Sequence, residues 1–162
     1  MNPLIAQARG ETPLGLVTLA ATEQGLAGLW FEGQKHHPGV LDAPVDAGNR
    51  WIVQALAELQ GYWSRSHARF AVPLDLRGTP FQRSVWQALT RIEAGATRSY
   101  GALAAQLGCA AAVRAVGAAV GRNPVSVIVP CHRVIGSDGA LTGYAGGLDR
   151  KVELLRLEGA WM

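Results

Sequence analysis

At 162 residues and 17.1 kDa the chain has room for one domain or two small ones, and it can bury enough surface to fold without disulfide or metal staples. With 49% hydrophobic and 17% charged residues it is not a disordered segment. The net charge of +3 says little until its distribution is read: residues 1–79 hold six basic and seven acidic groups, residues 80–162 hold nine and five, and no acidic residue lies between Glu93 and Asp138, where Arg98, Arg114, Arg122 and Arg133 sit, so basic surface and an anionic partner belong to the second half.

Met1–Glu11 lacks the apolar core of a signal peptide, and no apolar run approaches the roughly 20 residues of a membrane span. A soluble cytoplasmic protein is expected, with no membrane association. Leu14–Ala21 and Gly25–Phe31 are short apolar runs bounded by glycine and read as an antiparallel strand pair. Leu4–Ala8 adds a further strand. Gly33–Gly48 is polar, rich in Pro and Gly, and therefore a loop. Ile52, Ala55, Leu56, Leu59 and Trp63 recur at helical spacing and predict a helix over Trp51–Trp63 with those residues inward. Phe70–Leu76 is another strand candidate.

Thr79-Pro80-Phe81-Gln82 has the form of a capping box with proline at the first helical position. The helix it starts is expected to bury Phe81, Val85, Leu89 and Ile92. The chain thus divides into an N-terminal domain, 1–78, and a C-terminal domain, 79–162, of an α+β protein whose second part is mainly helical.

Tyr100–Leu107 forms a short helix with Leu103, Ala104 and Leu107 inward. Gly108 ends it, Cys109–Ala110 turn, and a second helix runs from about Ala111 to Gly121. Two helices joined this way resemble a DNA-binding helix-turn-helix, although alanine-rich helix pairs commonly do no more than pack. In the second helix Val113, Val116 and Val120 fall on one side and are expected to be buried. The face of Arg114, Gly117, Ala118 and Gly121, followed by Arg122, carries almost no long side chain. A major-groove reader would present several polar side chains to base edges. A smooth face suits close approach to phosphates and a narrow groove, with Arg114 entering the base stack. Taken by itself, Arg114 is equally a solvated surface charge.

Cys109 and Cys131 are the two cysteines. They make no disulfide framework, fit a reducing compartment, and leave a free thiol available as a nucleophile. The chain has no CxxC, HxxxH or HExxH motif, so no metal is expected. The apolar run Val125–Val129 leads into Pro130-Cys131-His132-Arg133-Val134-Ile135. Apolar flanks alone would bury a small cysteine. Three features add chemistry to that: His132 places a base nearby, Arg133 adds positive charge that favours thiolate, and the Asn123-Pro124 turn is braced by the Asn123 amide. Five glycines between Gly136 and Gly147 indicate a chain that passes close to a flat ligand. Asp149–Glu158 then forms a helix with Val152, Leu154 and Leu155 inward.

Asn123-Pro124, Val129–Ile135, Gly143-Tyr144-Ala145-Gly146-Gly147 and Leu154–Gly159 together resemble the O6-alkylguanine-DNA alkyltransferases, in particular their bacterial constitutive methylated-DNA–protein-cysteine methyltransferase type. The resemblance is strong over Thr79–Gly159 and weaker before it, where it implies a small α/β domain resembling a ribonuclease H core. It implies that Cys131 accepts the alkyl group, that His132 activates it through a water, that Glu158 orients His132 and that Asn123 braces the turn. It further implies that Tyr100 helps rotate the nucleotide and protonates the departing guanine. Arg114 matches the arginine that fills the gap left by the flipped base, and Gly117, Ala118, Gly121 and Arg122 are expected on the DNA face with it. Tyr144, Ala145 and Lys151 contact the lesion; Ala145 stands where some members have serine, so only its backbone N–H serves. No cysteine precedes Cys109, so the N-terminal zinc site of some members is not implied.

The chemistry is coherent on its own terms. An alkyl carbon on guanine O6 is a soft electrophile and a thiolate is a soft nucleophile. Guanine leaves once its charge is met by a proton or hydrogen-bond donor. The thioether product is not readily hydrolysed, which implies one turnover and no cofactor. The expected partner is double-stranded DNA containing alkylated bases, O6-alkylguanine and O4-alkylthymine among them. It is bound through the minor groove by a monomer, with the damaged nucleotide flipped out. A lesion-flagging protein without chemistry, and a hydrolytic Cys–His enzyme, are the competing classes.

Overall fold

A computed structural model describes residues 1–65 and 69–161. The protein is α+β and divides into two compact units, Met1–Arg77 with Pro124–Ser126, and Gly78–Asn123 with Val127–Met162. Among the described residues no helix is long and apolar enough to cross a membrane.

In the first unit, strands β1 (Ala6–Thr12), β2 (Gly15–Ala21) and β3 (Leu26–Phe31) form an antiparallel sheet in the order β1-β2-β3. Thr12 pairs with Gly15 across the first hairpin, and a register shift at Ala20/Ala21 marks a bulge in the second. All six residues of β3 are buried, which is why its sequence reads as an unbroken apolar run. Both edges are occupied. On β1 the loop 41–46 is held by Gln7, whose backbone bonds Pro44 and Asp46 and whose amide donates to the carbonyls of Leu41 and Ala43. On β3, Leu29 pairs with Val125, and Leu26 pairs with Leu74.

Helix α1 (Arg50–Ser64) lies on this sheet and is capped by Asn49, whose side chain accepts from Trp51 N and Ile52 N. Its buried residues are Ile52, Ala55, Leu59 and Tyr62. The inward aromatic of α1 is therefore Tyr62, and Trp63, expected inside, is half-buried with its ring edge-on to Tyr62 at 5.0 Å. The segment 70–76, expected as a strand, contributes only the single bridge at Leu74. Pro73 has no N–H to donate, and the Glu58 carboxylate takes the N–H groups of Ala71 and Val72, each at 3.0 Å.

In the second unit α2 (Pro80–Leu89) begins at the capping box: Gln82 N donates to Thr79 Oγ1 at 3.1 Å, and Thr79 N donates to Gln82 Oε1 at 3.0 Å. Its buried side is Val85, Trp86, Ala88 and Leu89, with Ile92 buried just beyond. Phe81, expected inside, is exposed. Trp86 turns the helix instead: its ring fills the interior and its indole N–H donates to Ala119 O at 2.8 Å. A short parallel pair, β4 (Arg98–Ser99) with β5 (Val134–Ile135), sets the start of α3 (Tyr100–Gln106), which Ser99 caps. Gly108 ends this helix with φ of +74°, a conformation open to glycine. A 3₁₀ turn at Ala110–Ala112 precedes α4 (Val113–Gly121), which is two residues shorter than expected. Val116, Ala119 and Val120 are its buried residues, whereas Val113, expected inside, is exposed because the 3₁₀ turn starts the α-helix at that residue. Helix α5 (Leu148–Leu157) closes the unit. It buries Leu154, Leu155 and Lys151, while Val152 is only half-buried.

The capping box is testable by itself. Thr79→Ala leaves one N-terminal N–H of α2 without its acceptor and is expected to cost about 1 kcal/mol. This lowers the thermal midpoint by roughly 2–4 °C in a chain of this size. Thermal unfolding followed by circular dichroism measures it; an unchanged midpoint would show that the box contributes nothing.

Candidate active site

The turn that carries the thiol starts at the end of α4. Asn123 is buried, and its side-chain amide donates to Val129 O at 2.7 Å and also hydrogen-bonds the Cys131 thiol. Between them Val127 is buried with φ of +71°. A β-branched residue there is a genuine outlier, and such conformations persist only where the surroundings over-determine them. Cys131, His132 and Arg133 form one 3₁₀ turn with all three side chains buried.

Burial pushes the Cys131 thiol up to about 11, against the Asn123 hydrogen bond and the nearby Lys151 charge, which act in the opposite sense. The resting group at neutral pH is therefore a thiol that needs a proton acceptor. His132 is fully buried. Its Nε2 lies 2.8 Å from Glu158 Oε2, and its Nδ1 is buried with no hydrogen-bond partner among the described residues. Burial lowers the His132 pKa, the Glu158 hydrogen bond and charge oppose this, and the Arg133 and Lys151 charges add to the lowering. Burial would raise the Glu158 pKa, but hydrogen bonds from Arg133 and His132 and their charges outweigh it and bring it to about 2.

Arg133 is not aimed at the thiol. Its Nε donates to Glu158 Oε1 and its Nη2 to Glu158 Oε2, both at 2.8 Å, and its Nη1 donates to the Ile92 carbonyl. The cation that acts on Cys131 is Lys151. This side chain is fully buried, and its Nζ donates to Val134 O at 2.6 Å and Thr142 O at 3.0 Å. Burial lowers its ammonium to about 8, with Cys131 opposing.

Tyr100 opens α3. Burial raises its phenol pKa, a hydrogen bond with the Thr142 side chain opposes the rise, and Cys131 adds to it. It remains protonated and close enough to the thiol to feel its charge. Tyr144 sets its ring edge-on to His132 at 6.4 Å. Gly146 leaves room for that ring, since a Cβ there would stand 2.5 Å from it. Ala145 is half-buried between them in sequence.

The profile of the family described as "6-O-methylguanine DNA methyltransferase, DNA binding domain" matches residues 80–160. A methylated-DNA–protein-cysteine methyltransferase of Mycolicibacterium paratuberculosis is 47% identical over 151 residues, spanning 91% of this chain and 88% of that protein. One from Methanosarcina barkeri is 46% identical over 151 residues, spanning 91% and 93%. Among solved structures, Mycobacterium tuberculosis OGT in complex with DNA superposes with a TM-score of 0.88 at 43% identity, covering 96% of this chain and 94% of that one. The chain belongs to the methylated-DNA–protein-cysteine methyltransferase family.

Cys131, His132, Glu158, Asn123, Tyr100, Lys151 and Tyr144 of this methyltransferase-family chain therefore form one cluster joined by hydrogen bonds, ring contact or charge. Arg114, Ala118 and Arg122 take no part in it: they are exposed on and just beyond α4, and Gly121 beside them is half-buried. Gly117 links the two sets. With Tyr100, Gly101, Val113 and Ser137 it lines a cleft of about 510 Å³, and a Cβ on Gly117 would come within 3.8 Å of Tyr100. Thr142, Ser137 and the Ile92 carbonyl are participants that sequence reasoning missed. Nothing in their local sequence signals a role, because each meets its partner only through the fold. Among the described residues no group of His, Cys, Asp and Glu comes together that could hold a metal ion.

The depressed Glu158 pKa fixes a sign for acid stability. The folded state holds its carboxylate ionised down to about 2, whereas the unfolded chain takes up a proton near 4.5. That contribution is present above 4.5 and is lost as pH falls toward 2. Urea midpoints measured from pH 6 to pH 2.5 are expected to fall more steeply below pH 4.5 for the native chain than for Glu158→Gln. Parallel curves would remove Glu158 from the acid response.

Proposed function

We propose that this protein repairs DNA directly, by irreversible transfer of an alkyl group from O6-alkylguanine, and from O4-alkylthymine, to Cys131 in a single turnover. The observation that carries the reading is a buried thiol beside a histidine whose one ring nitrogen is fixed by a carboxylate and whose other has no partner among the described residues.

The proposed steps follow from that arrangement. His132, with Nε2–H donated to Glu158, takes the Cys131 proton at Nδ1 through an intervening water. The sulfur attacks the alkyl carbon in line, the S–C bond forms and the C–O6 bond breaks. Tyr100 donates a proton or hydrogen bond to the departing guanine, whose developing charge would otherwise slow the step. Asn123 holds the thiol turn. Tyr144, the Ala145 backbone and Lys151 shape the place of the base, Lys151 acting chiefly by fixing the carbonyls of Val134 and Thr142. No cofactor enters, and the alkylated protein does not turn over.

On DNA, α3, the 3₁₀ turn and α4 act as a helix-turn-helix of the domain 79–162. The domain 1–78, three antiparallel strands and a helix, takes the place of the part resembling a ribonuclease H core. The bare α4 face of Gly117, Ala118 and Gly121 approaches the minor groove, with Arg122 on phosphate and Arg114 filling the gap left by the flipped nucleotide. The protein acts as a monomer in the cytoplasm on duplex DNA carrying alkylated bases. The DNA complex of the Mycobacterium tuberculosis relative supports DNA as the partner.

Intact mass after incubation with duplex DNA containing O6-methylguanine is expected to rise by one CH₂, located on Cys131, with guanine restored. Cys131→Ser is expected to bind DNA and gain no mass, and Cys109→Ala to gain it normally. An unchanged mass with tight binding would replace repair by lesion flagging, and turnover with release of product would favour a hydrolase.

Arg114→Ala separates extrusion from chemistry. Unstacking a base step costs a few kcal/mol. The duplex reaction is therefore expected to slow by roughly tenfold or more, and reaction with free O6-benzylguanine by less than about twofold, in single-turnover assays. Equal losses on both substrates would remove Arg114 from that role.

A further inference from the structure

The buried Glu158 carboxylate serves two partners at once. Arg133 takes both oxygens in a fork, Nε to Oε1 and Nη2 to Oε2, and His132 Nε2 shares Oε2. We propose that Arg133 is a positioning residue that, by neutralising Glu158 while leaving it as hydrogen-bond acceptor, keeps His132 a neutral Nε2–H tautomer with its Nδ1 lone pair free to receive the Cys131 proton. This rests on the repair reading for the purpose of that proton, but not for the state of the ring.

The argument is one of charge and geometry. A carboxylate 2.8 Å from an imidazole ordinarily draws a proton onto it. A histidine already charged cannot accept a proton from a thiol. The groups facing His132 are Glu158 and Lys151 from α5, Arg133 from its own turn, Tyr144 from the preceding loop and the Cys131 thiol. The one titratable side chain of α2, Arg83, is exposed. One anion therefore faces two cations in a buried site, and an imidazolium would make a third. Burial and both cations favour the neutral ring, in agreement with the lowered His132 pKa. The tautomer follows as well, because Nε2 has an acceptor and Nδ1 has none among the described residues. Arg133 also reaches the Ile92 carbonyl, so a purely structural role as a strap is the rival explanation. A strap would not set the protonation of a neighbouring ring.

The test is nitrogen NMR of the intact chain labelled at histidine, with the His132 signals assigned by their loss in His132→Asn, and methyl transfer measured alongside. In the native chain His132 is expected as the neutral Nε2–H form, titrating below an ordinary histidine. Arg133→Gln is expected to raise that midpoint by about one unit or more. It should carry the acid limb of the transfer rate with it, so that below both midpoints the rate falls about tenfold. Arg133→Lys keeps the charge and is expected to hold the midpoint within about half a unit of native. A native His132 that is charged at neutral pH would overturn the proposal even if Arg133→Gln fails to fold, and so would a folded Arg133→Gln with an unmoved midpoint. Expected titrations in a protein that gains no methyl would support this role and defeat the repair reading alone.

Discussion

The buried carboxylate of Glu158 is the constraint on which the rest of the site depends. It lies at the C-cap of α5 and is removed from water, and hydrogen bonds from Arg133 and His132 hold it as an anion. Removing one partner of such a buried group typically costs about 3–5 kcal/mol, since the other charge is left without compensation. Arg133 extends the same set to the Ile92 carbonyl beyond α2. The end of α2, the thiol turn and the end of α5 are thus fixed by one guanidinium and one carboxylate. The geometry that serves the chemistry and the contacts that hold this unit together are the same atoms, which places the thiol on a rigid frame.

A second consequence is the state of the thiol. A cysteine kept buried and protonated is a poor target for adventitious oxidants and electrophiles, because the thiolate is the reactive form. Around that thiol stand the His132 imidazole, whose pKa burial lowers, the Asn123 amide on sulfur and the Lys151 charge. The Val127 backbone, held at positive φ, belongs to the same economy of position, since the run between Asn123 and Cys131 reaches its geometry at a strained residue.

Much of the fold was legible wherever a local rule acts alone. The Thr79–Gln82 box, the glycine-bounded strands 15–21 and 26–31 and the helix end at Gly108 formed close to where the sequence places them. The misplacements share a cause. Phe81, Val113, Val152 and Trp63 were assigned inward by periodicity, yet periodicity gives spacing and not the rotation of a helix about its axis. That rotation was set by Trp86 finding the Ala119 carbonyl, by a 3₁₀ turn delaying α4, by Lys151 taking an inside position on α5 and by Tyr62 outcompeting its neighbour. Phe70–Leu76 has strand composition, but two of its donors, Ala71 and Val72, were taken by Glu58 and one was missing at Pro73.

The site divides in the same way. Sequence by itself determined the chemistry available: a free cysteine followed by histidine and arginine, a turn-forming Asn-Pro ahead of it, a glycine-rich segment after it and a second half with a net basic charge. Those are properties of residue types and of short separations, and the covalent chain enforces them. Only the tertiary structure decided what each charge does. Arg133 stands two positions from Cys131 in sequence and yet serves Glu158, while Lys151, twenty positions away, supplies the charge that acts on the sulfur. Adjacent side chains on a tight turn point apart, and in a buried site a charge is held by whichever partner the packing brings within about 3 Å. That partner is chosen by how α5 lies against the thiol turn, which no local pattern encodes.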